Sequence, residues 1–157
     1  MGRYESDVVQ VSEELNVALR RLSEAECRSV HRMIRDAYAR PRSPQDWGWQ
    51  EIWNWVRPEG SDTSVVLNDP VVCVSEVASK GAVLLVFEPA VERAIFGFDS
   101  ALDAARVADE CCSSEYGFTD AECSYLLWYN HHEYLIAFGS AISGLRAYAA
   151  AHGLAAR

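Results

Sequence analysis

The sequence predicts an α+β domain in which a mainly antiparallel sheet is covered on one face by N-terminal helices, one inserted helix and a C-terminal helix. Helical apolar patterns fill the first third of the chain, and short apolar runs bounded by turn residues follow. Two of those runs, within residues 123–138, meet at a short polar turn as a β-hairpin. The 157 residues favour a single domain over 1–157, with a helical part at about 8–56 and a sheet-containing part at about 64–152.

The first two helices are predicted from their start signals. Ser12, followed by two glutamates, is expected to cap an amphipathic helix that ends at about Leu22. Ser23 and Glu26 have the spacing of a capping box, so a second helix begins there and ends before Pro41.

A third helix, from Ser43-Pro44 to about Val56, carries four tryptophans at positions 47, 49, 53 and 55. Trp49 and Trp53 share one face, which we expect to be core, while Trp47 and Trp55 point away from it. Packing of these two under neighbouring loops is the favoured interpretation. A binding patch is the alternative, because exposed tryptophans are typical interface anchors.

The rest of the chain alternates between strands and helices. A loop with at most one short strand at 65–67 precedes three predicted strands at 71–74, 82–87 and 94–98. Ser100 opens the inserted helix to about Cys112, whose buried line is predicted to be Leu102, Ala105, Ala108 and Cys112. The hairpin and a final helix, from Ser140 to about Gly153, complete the fold. The inserted helix leaves open that the strands on either side of it form a single parallel pair.

Negative charge is concentrated in the C-terminal part of the chain. The net charge is −9, and residues 61–157 hold 13 acidic residues against 5 basic ones. Such a surface would repel phosphates, so nucleic acid is not an expected partner, whereas a basic protein partner would suit it. A general role in solubility is the alternative. The candidate partner-binding acids are Asp103, Asp109, Glu110, Glu115, Asp120 and Glu122.

The sequence shows no apolar run long enough to cross a bilayer and no signal-peptide pattern at its start, so we expect a cytoplasmic protein that does not bind membranes. Its five cysteines are odd in number, and two of them are adjacent. This count favours reduced, mostly buried thiols over a disulfide framework or a zinc site.

The hairpin tip, His131-His132-Glu133, is the place where chemistry could occur. A metal-dependent hydrolase built on these residues is one hypothesis, but neighbouring strand residues point to opposite faces, and no further ligand motif accompanies them. Nucleophile elbows and phosphate-binding loops are also absent from the sequence. We therefore expect no cofactor and favour a structural turn over an enzyme.

Residues 80–150 resemble a group of small, uncharacterised bacterial proteins found among toxin-immunity proteins. The resemblance rests on the order LLVFEP, AIFGF, an acidic helix and SYLLWYNHHEYLIAFG, and it extends more loosely to the SUKH-type immunity fold. It implies a protein that binds and neutralises a cognate toxin, such as a nuclease with a basic groove. The acids would then steer association, and Trp47, Trp55, His131 and His132 would serve as anchors. A non-catalytic adaptor or oligomeric scaffold is a further alternative.

Overall fold

A computed structural model describes residues 2–38, 60–78, 80–112 and 115–157. The predicted tryptophan-rich helix, with Trp47 and Trp55, lies outside these residues. The described ranges contain five helices, α1 (Glu5–Glu14), α2 (Glu24–Ala37), α3 (Val71–Val77), α4 (Ala101–Cys111) and α5 (Ala141–His152). They also contain seven strands, β1 (Arg20–Arg21), β2 (Asp62–Val66), β3 (Val83–Val86), β4 (Phe96–Phe98), β5 (Tyr116–Thr119), β6 (Tyr125–Tyr129) and β7 (Tyr134–Gly139). The predicted α+β class is confirmed.

The seven strands form one sheet in the order β1-β4-β3-β5-β6-β7-β2, and every neighbouring pair is antiparallel. Helix α4 connects β4 to β5, which run in the same direction on either side of β3. Because β3 separates them, the parallel pair that the sequence left open does not form. The crossover instead returns the chain to the opposite end of the sheet.

The sheet is covered on both faces, so the expectation of one covered face is wrong. All four residues of β3 are buried, and they alternate between two hydrophobic clusters. Leu85 packs in the cluster that contains residues of α1, α3, α4 and α5. Leu84 packs in the other, together with Val30 and Ile34 of α2. Helix α2 therefore lies on the face of the sheet opposite to α1, α3, α4 and α5.

Helix α1 begins at Glu5 and ends at Glu14, so the predicted helix from Ser12 to Leu22 is wrong. Ser12 lies inside α1, where its hydroxyl donates a hydrogen bond of 2.7 Å to the carbonyl of Val8. The chain turns at Asn16, which has a φ of 53°, and Arg20–Arg21 then pairs with β4. Leu22 packs beneath α2 instead of continuing a helix.

The buried carboxylate of Glu92 caps α1 from a distant part of the sequence. Its Oε2 accepts hydrogen bonds from the backbone N–H groups of Tyr4, at 3.0 Å, and Glu5, at 3.2 Å. Its Oε1 accepts from the N–H of Ala94 at 2.9 Å. These bonds satisfy N–H groups at the start of α1 and complement the positive end of the helix dipole. Tyr4, the residue at the N-cap, makes no side-chain capping bond itself.

The capping box of α2 is confirmed. The Ser23 hydroxyl accepts from the Glu26 N–H at 3.3 Å, and the Glu26 carboxylate accepts from the Ser23 N–H at 2.8 Å. These Ser23 bonds, with a smaller contribution from Arg20, lower the pKa of Glu26 to about 2. The helix ends at Ala37, before Pro41 as predicted.

Residues 71–74, predicted as a strand, form the first turn of helix α3. Pro70 occupies the N-cap, and the Asp69 carboxylate accepts a hydrogen bond of 2.9 Å from the Val71 N–H. Cys73 and Val74 are buried against the sheet and the neighbouring helices. A short apolar run has no clear period, so its burial fits either structure.

Helix α4 begins at the predicted place, with the Ser100 hydroxyl accepting from the Asp103 N–H at 3.2 Å. Ala105 and Ala108 are buried as predicted, but Leu102 is 45% exposed, so its assignment to the core is wrong. Helix α4 packs against α1, α3 and the sheet through small side chains. Cys112, the C-cap residue, is partly buried.

The predicted hairpin is confirmed as β6 and β7, with Tyr129 opposite Leu135 and Tyr125 opposite Gly139. Helix α5 ends at His152, and Gly153, with a φ of 66°, is its left-handed C-cap, as the sequence predicted. Beyond α5 the chain returns to the outer edge of β2, where Ser64 and Arg157 exchange two backbone hydrogen bonds of 3.0 Å.

None of the described helices has the length and apolar character that crossing a membrane would require.

Candidate functional site

The candidate site is a group of carboxylates at the end of the sheet where the hairpin turns. It combines the last turn of α4, the residue before β5, the hairpin turn and the loop that leads into α3. We call this surface the acidic end and define it by Asp69, Asp109, Glu110, Glu115 and Glu133. A backbone hydrogen bond of 2.8 Å from the Leu67 N–H to the Glu133 carbonyl joins the loop to the hairpin turn.

Asp109, on the last turn of α4, has a perturbed pKa. Its pKa is raised, first by burial and then by repulsion from Asp69 and Glu110. Among the described residues, no arginine or lysine forms an ion pair with Asp69, Asp109, Glu110 or Glu133. The negative charge at this end is therefore uncompensated by the part of the chain that the structure describes.

Two tyrosines, Tyr116 and Tyr129, lie next to these carboxylates. The Tyr129 hydroxyl donates a hydrogen bond of 2.7 Å to the Leu67 carbonyl, and its ring lies 5.7 Å from that of Tyr116. The pKa of Tyr116 is raised by burial and then by Asp109. The pKa of Tyr129 is raised by burial and then by Glu133, Asp109 and Asp69. The phenols stay protonated, so they add hydrogen-bonding capacity without changing the local charge.

Glu115 connects this surface to the hairpin tip. One of its oxygens lies 2.7 Å from Nδ1 of His131, and the other accepts a hydrogen bond of 3.2 Å from the indole N–H of Trp128. The Glu115 side chain is only 17% exposed, whereas that of His131 is 50% exposed. A nearly buried carboxylate thus holds a half-exposed imidazole in one orientation.

The turn itself is organised by Asn130, which is buried. Its side-chain oxygen accepts hydrogen bonds of 3.0 Å from the N–H groups of both His132 and Tyr134. Glu133 follows with a φ of 62°, the left-handed geometry that closes the turn. The bend places the rings of His131 and His132 3.9 Å apart, so they do not point to opposite faces as strand geometry predicted.

Adjacent imidazoles invite comparison with a metal site. Among the described residues, however, no group of three or more His, Cys, Asp or Glu side chains is placed to hold a metal ion. The arrangement can present two histidines and several carboxylates to a partner, and the contact with Glu115 orients the imidazole of His131.

The structure divides the six acids that the sequence grouped together. Asp109, Glu110 and Glu115 lie at the acidic end, whereas Asp120 and Glu122 lie in the β5–β6 turn at the opposite end of the sheet. Asp103 lies in the first turn of α4, six residues before Asp109, where it accepts a hydrogen bond of 2.9 Å from the Ser100 hydroxyl. Asp120 is also structural, because its carboxylate binds the N–H and hydroxyl of Ser124.

Sequence reasoning missed Asp69 as a member of the site, and it considered Glu133 only as part of a possible metal-dependent centre at the hairpin tip. Asp69 lies 40 residues before Asp109 in the sequence, so only the packing of α3 against α4 brings them together. The Asp69-Pro70 pair was a usable signal, because an acid followed by proline is typical of a helix start.

The cysteines are free thiols, and Cys27, Cys73 and Cys123 are buried, as the sequence predicted. Burial, followed by the charge of Glu76, raises the pKa of Cys73 to about 12. The pKa of Cys112 is also raised, first by its contact with Cys111, whose sulfur lies 3.1 Å away, and then by burial. Neither thiol has the low pKa of a nucleophile.

Comparison with known proteins gives no match for this chain among protein-family models, curated proteins or solved structures.

Proposed function

We propose that this protein is an immunity-type inhibitor that binds a cognate toxin through the acidic end. The observation that carries the proposal is the accumulation of carboxylates around Asp109 without a cationic partner among the described residues. The resemblance of residues 80–150 to small bacterial immunity proteins supports the same function. The toxin would present a basic surface, such as the groove of an enzyme that acts on nucleic acid.

The charge arrangement favours such a partner on physical grounds. Burial, followed by repulsion from Asp69 and Glu110, opposes the ionisation of Asp109 in the free protein, and a cationic surface would relieve the repulsion on binding. Carboxylates that replace phosphates in a basic groove speed association and set the register of the complex. The same repulsion lowers the stability of the free fold at neutral pH, so it is consistent with selection for binding.

The hairpin tip supplies the contacts that long-range charge does not. His131 and His132 are exposed, and the bonds from Glu115 and Asn130 fix the turn that carries them. A side chain that is already ordered loses less conformational entropy on binding. His131 is therefore the anchor that we expect to fill a pocket on the toxin.

The test is a binding measurement against the toxin encoded beside this protein. Asp109→Lys combined with Glu110→Lys should weaken the complex by at least about tenfold and flatten its dependence on salt. Glu13→Lys combined with Glu122→Lys is the matched control, because both residues are exposed, Glu122 lies at the opposite end of the sheet, Glu13 lies on α1 outside the defined acidic end, and the change in net charge is the same. This control should retain most of the affinity.

Two results would overturn the assignment. Equal loss in the two double variants would show that only net charge matters, and unchanged affinity in the Asp109 and Glu110 variant would place the interface elsewhere. His131→Ala should raise the dissociation rate more than it lowers the association rate, because short-range contacts act after encounter.

A further inference from the structure

A groove, opposite in charge to the acidic end, lies between α2 and the loop that joins β3 to β4. Its volume is about 860 Å³, which is within the range of small-molecule sites. Residues 89–94 form one wall, and α2 with the edge strand β1 forms the other. Five arginines and one histidine line it: Arg21, Arg28, His31, Arg32, Arg35 and Arg93. On a chain with a net charge of −9, such a concentration of guanidinium groups stands out.

The groove holds more arginines than its own carboxylates neutralise through ion pairs. Three glutamates also line it, and each is already engaged. Glu5 pairs with Arg21 and Glu24 pairs with Arg28, while Glu92 accepts its three backbone hydrogen bonds. Arg35 pairs with the adjacent Asp36.

The remaining arginines, Arg32 and Arg93, form no ion pair with any other residue in the described ranges. They come from opposite walls of the groove, one from α2 and one from the loop. Both are exposed, so their donors are accessible to a ligand.

The spacing on α2 makes this arrangement unfavourable for the isolated helix. Arg28, Arg32 and Arg35 follow one another at intervals of four and three residues, so like charges are neighbours on one helix face. His31 lies among them, and burial followed by the charge of Arg93 lowers its pKa to about 4. An anion seated between the two walls would offset this repulsion.

We propose that this groove binds a small phosphate-bearing molecule of nucleotide size, with Arg32 and Arg93 as its two principal contacts. Guanidinium groups match phosphate oxygens in paired hydrogen bonds, and two of them on opposite walls suit a ligand with more than one phosphate. The wall at 89–91, Pro89, Ala90 and Val91, is apolar enough to accept the uncharged part of such a ligand. This site is independent of the acidic end.

The test is calorimetric titration of the full chain with ATP, with inorganic tripolyphosphate and with adenosine at about 50 mM salt, where charge interactions are weakly screened. ATP and tripolyphosphate should bind with dissociation constants below about 1 mM, and adenosine should not bind in that range. Equal affinity for the two phosphate ligands would assign recognition to phosphate alone. Tighter binding of ATP would add a contact to its nucleoside.

Arg32→Gln combined with Arg93→Gln should weaken ATP or tripolyphosphate binding by at least about tenfold. Arg106→Gln combined with Arg146→Gln is the matched control, because these exposed arginines lie on α4 and α5 and the change in charge is identical. Arg32→Gln alone, at an exposed position, provides a second variant if the double one folds poorly.

The proposal is overturned by any of three results. The first is that ATP and tripolyphosphate both have dissociation constants above about 1 mM. The second is that the control variant loses as much affinity as the groove variant, and the third is that adenosine binds as tightly as ATP.

Discussion

Replacement of Glu92 by alanine should destabilise the fold more than its position in a loop suggests. Its side chain is only 2% exposed, and its two oxygens accept three backbone hydrogen bonds from Tyr4, Glu5 and Ala94. One carboxylate therefore fixes the start of α1 and the end of the 88–94 loop together.

The magnitude follows from these three bonds. A hydrogen bond to a charged group contributes about 1.5–3 kcal/mol, but water can reach part of the site once the side chain is removed. We therefore expect Glu92→Ala to lower the free energy of unfolding by about 3–5 kcal/mol, near the top of the usual range for single substitutions. At about 2–4 °C for each kcal/mol, the melting temperature falls by about 10 °C. Glu92→Gln keeps one acceptor and should cost about half as much.

The assay is thermal and urea unfolding followed by circular dichroism, with Gly2→Ala as a partner variant. A Cβ at Gly2 would overlap the Glu92 carboxylate, so Gly2→Ala should destabilise the wild-type background. In the Glu92→Ala background the same change should cost almost nothing, which gives a coupling energy of about 1–3 kcal/mol. A loss below about 1 kcal/mol for Glu92→Ala, or additive effects in this cycle, would refute the reasoning.

Three further predictions concern the acidic end and α2. Asn130→Ala removes the acceptor for the N–H groups of His132 and Tyr134, so it should lower the free energy of unfolding in urea by about 2 kcal/mol. Asn130→Asp keeps the accepting oxygen and should lower it far less; equal losses in the two variants would contradict this explanation. Asp109→Asn should stabilise the fold at neutral pH, because the raised pKa of Asp109 means that its ionisation opposes folding. The gain in stability should vanish in thermal melts near pH 3, where the carboxyl is protonated in both the folded and the unfolded state. The pKa of His31, lowered to about 4, makes the wild type lose stability as the pH falls from about 6.5 to about 4. His31→Gln should flatten melting temperature against pH in that window, and an unchanged slope would count against burial as the cause.

The parts of the fold that depend on neighbours in sequence could be predicted. The start of α2 follows from Ser23 and Glu26, and the end of α5 follows from Gly153, because each signal acts within a few residues of the backbone that it caps. The β6–β7 hairpin follows for the same reason, since a short turn brings its strands together.

The parts that depend on distant residues could not. The backbone N–H groups at the start of α1 donate their hydrogen bonds to the distant Glu92 carboxylate, so no local signal marks Glu5 as the start of the helix. Strand β5, Tyr116–Thr119, was not predicted, because its pairing with β3 and β6, and not a local pattern, defines it. Leu102 had the right helical period for the core, but the small residues of α4 pack there instead.

The candidate site shows the same division. Charge counting located Asp109, Glu110 and Glu115, but it also included acids at the opposite end of the sheet, because sequence proximity says nothing about direction along a helix or strand. The groove at α2 had a visible signal in the spacing of Arg28, Arg32 and Arg35. The total charge of the first 60 residues did not reveal that spacing, because glutamates and aspartates nearly balance the arginines there.

The two edge strands of the sheet affect how readily copies of this protein associate at high concentration. One edge strand is β1, only two residues long and made of Arg20 and Arg21, and the other is β2, where Arg157 occupies part of the outer backbone. Edge strands that are short, charged or covered resist the intermolecular strand pairing that leads to aggregates and fibrils. A scaffold assembled by continuing this sheet from one molecule to the next would have to displace Arg157 or juxtapose two pairs of arginines.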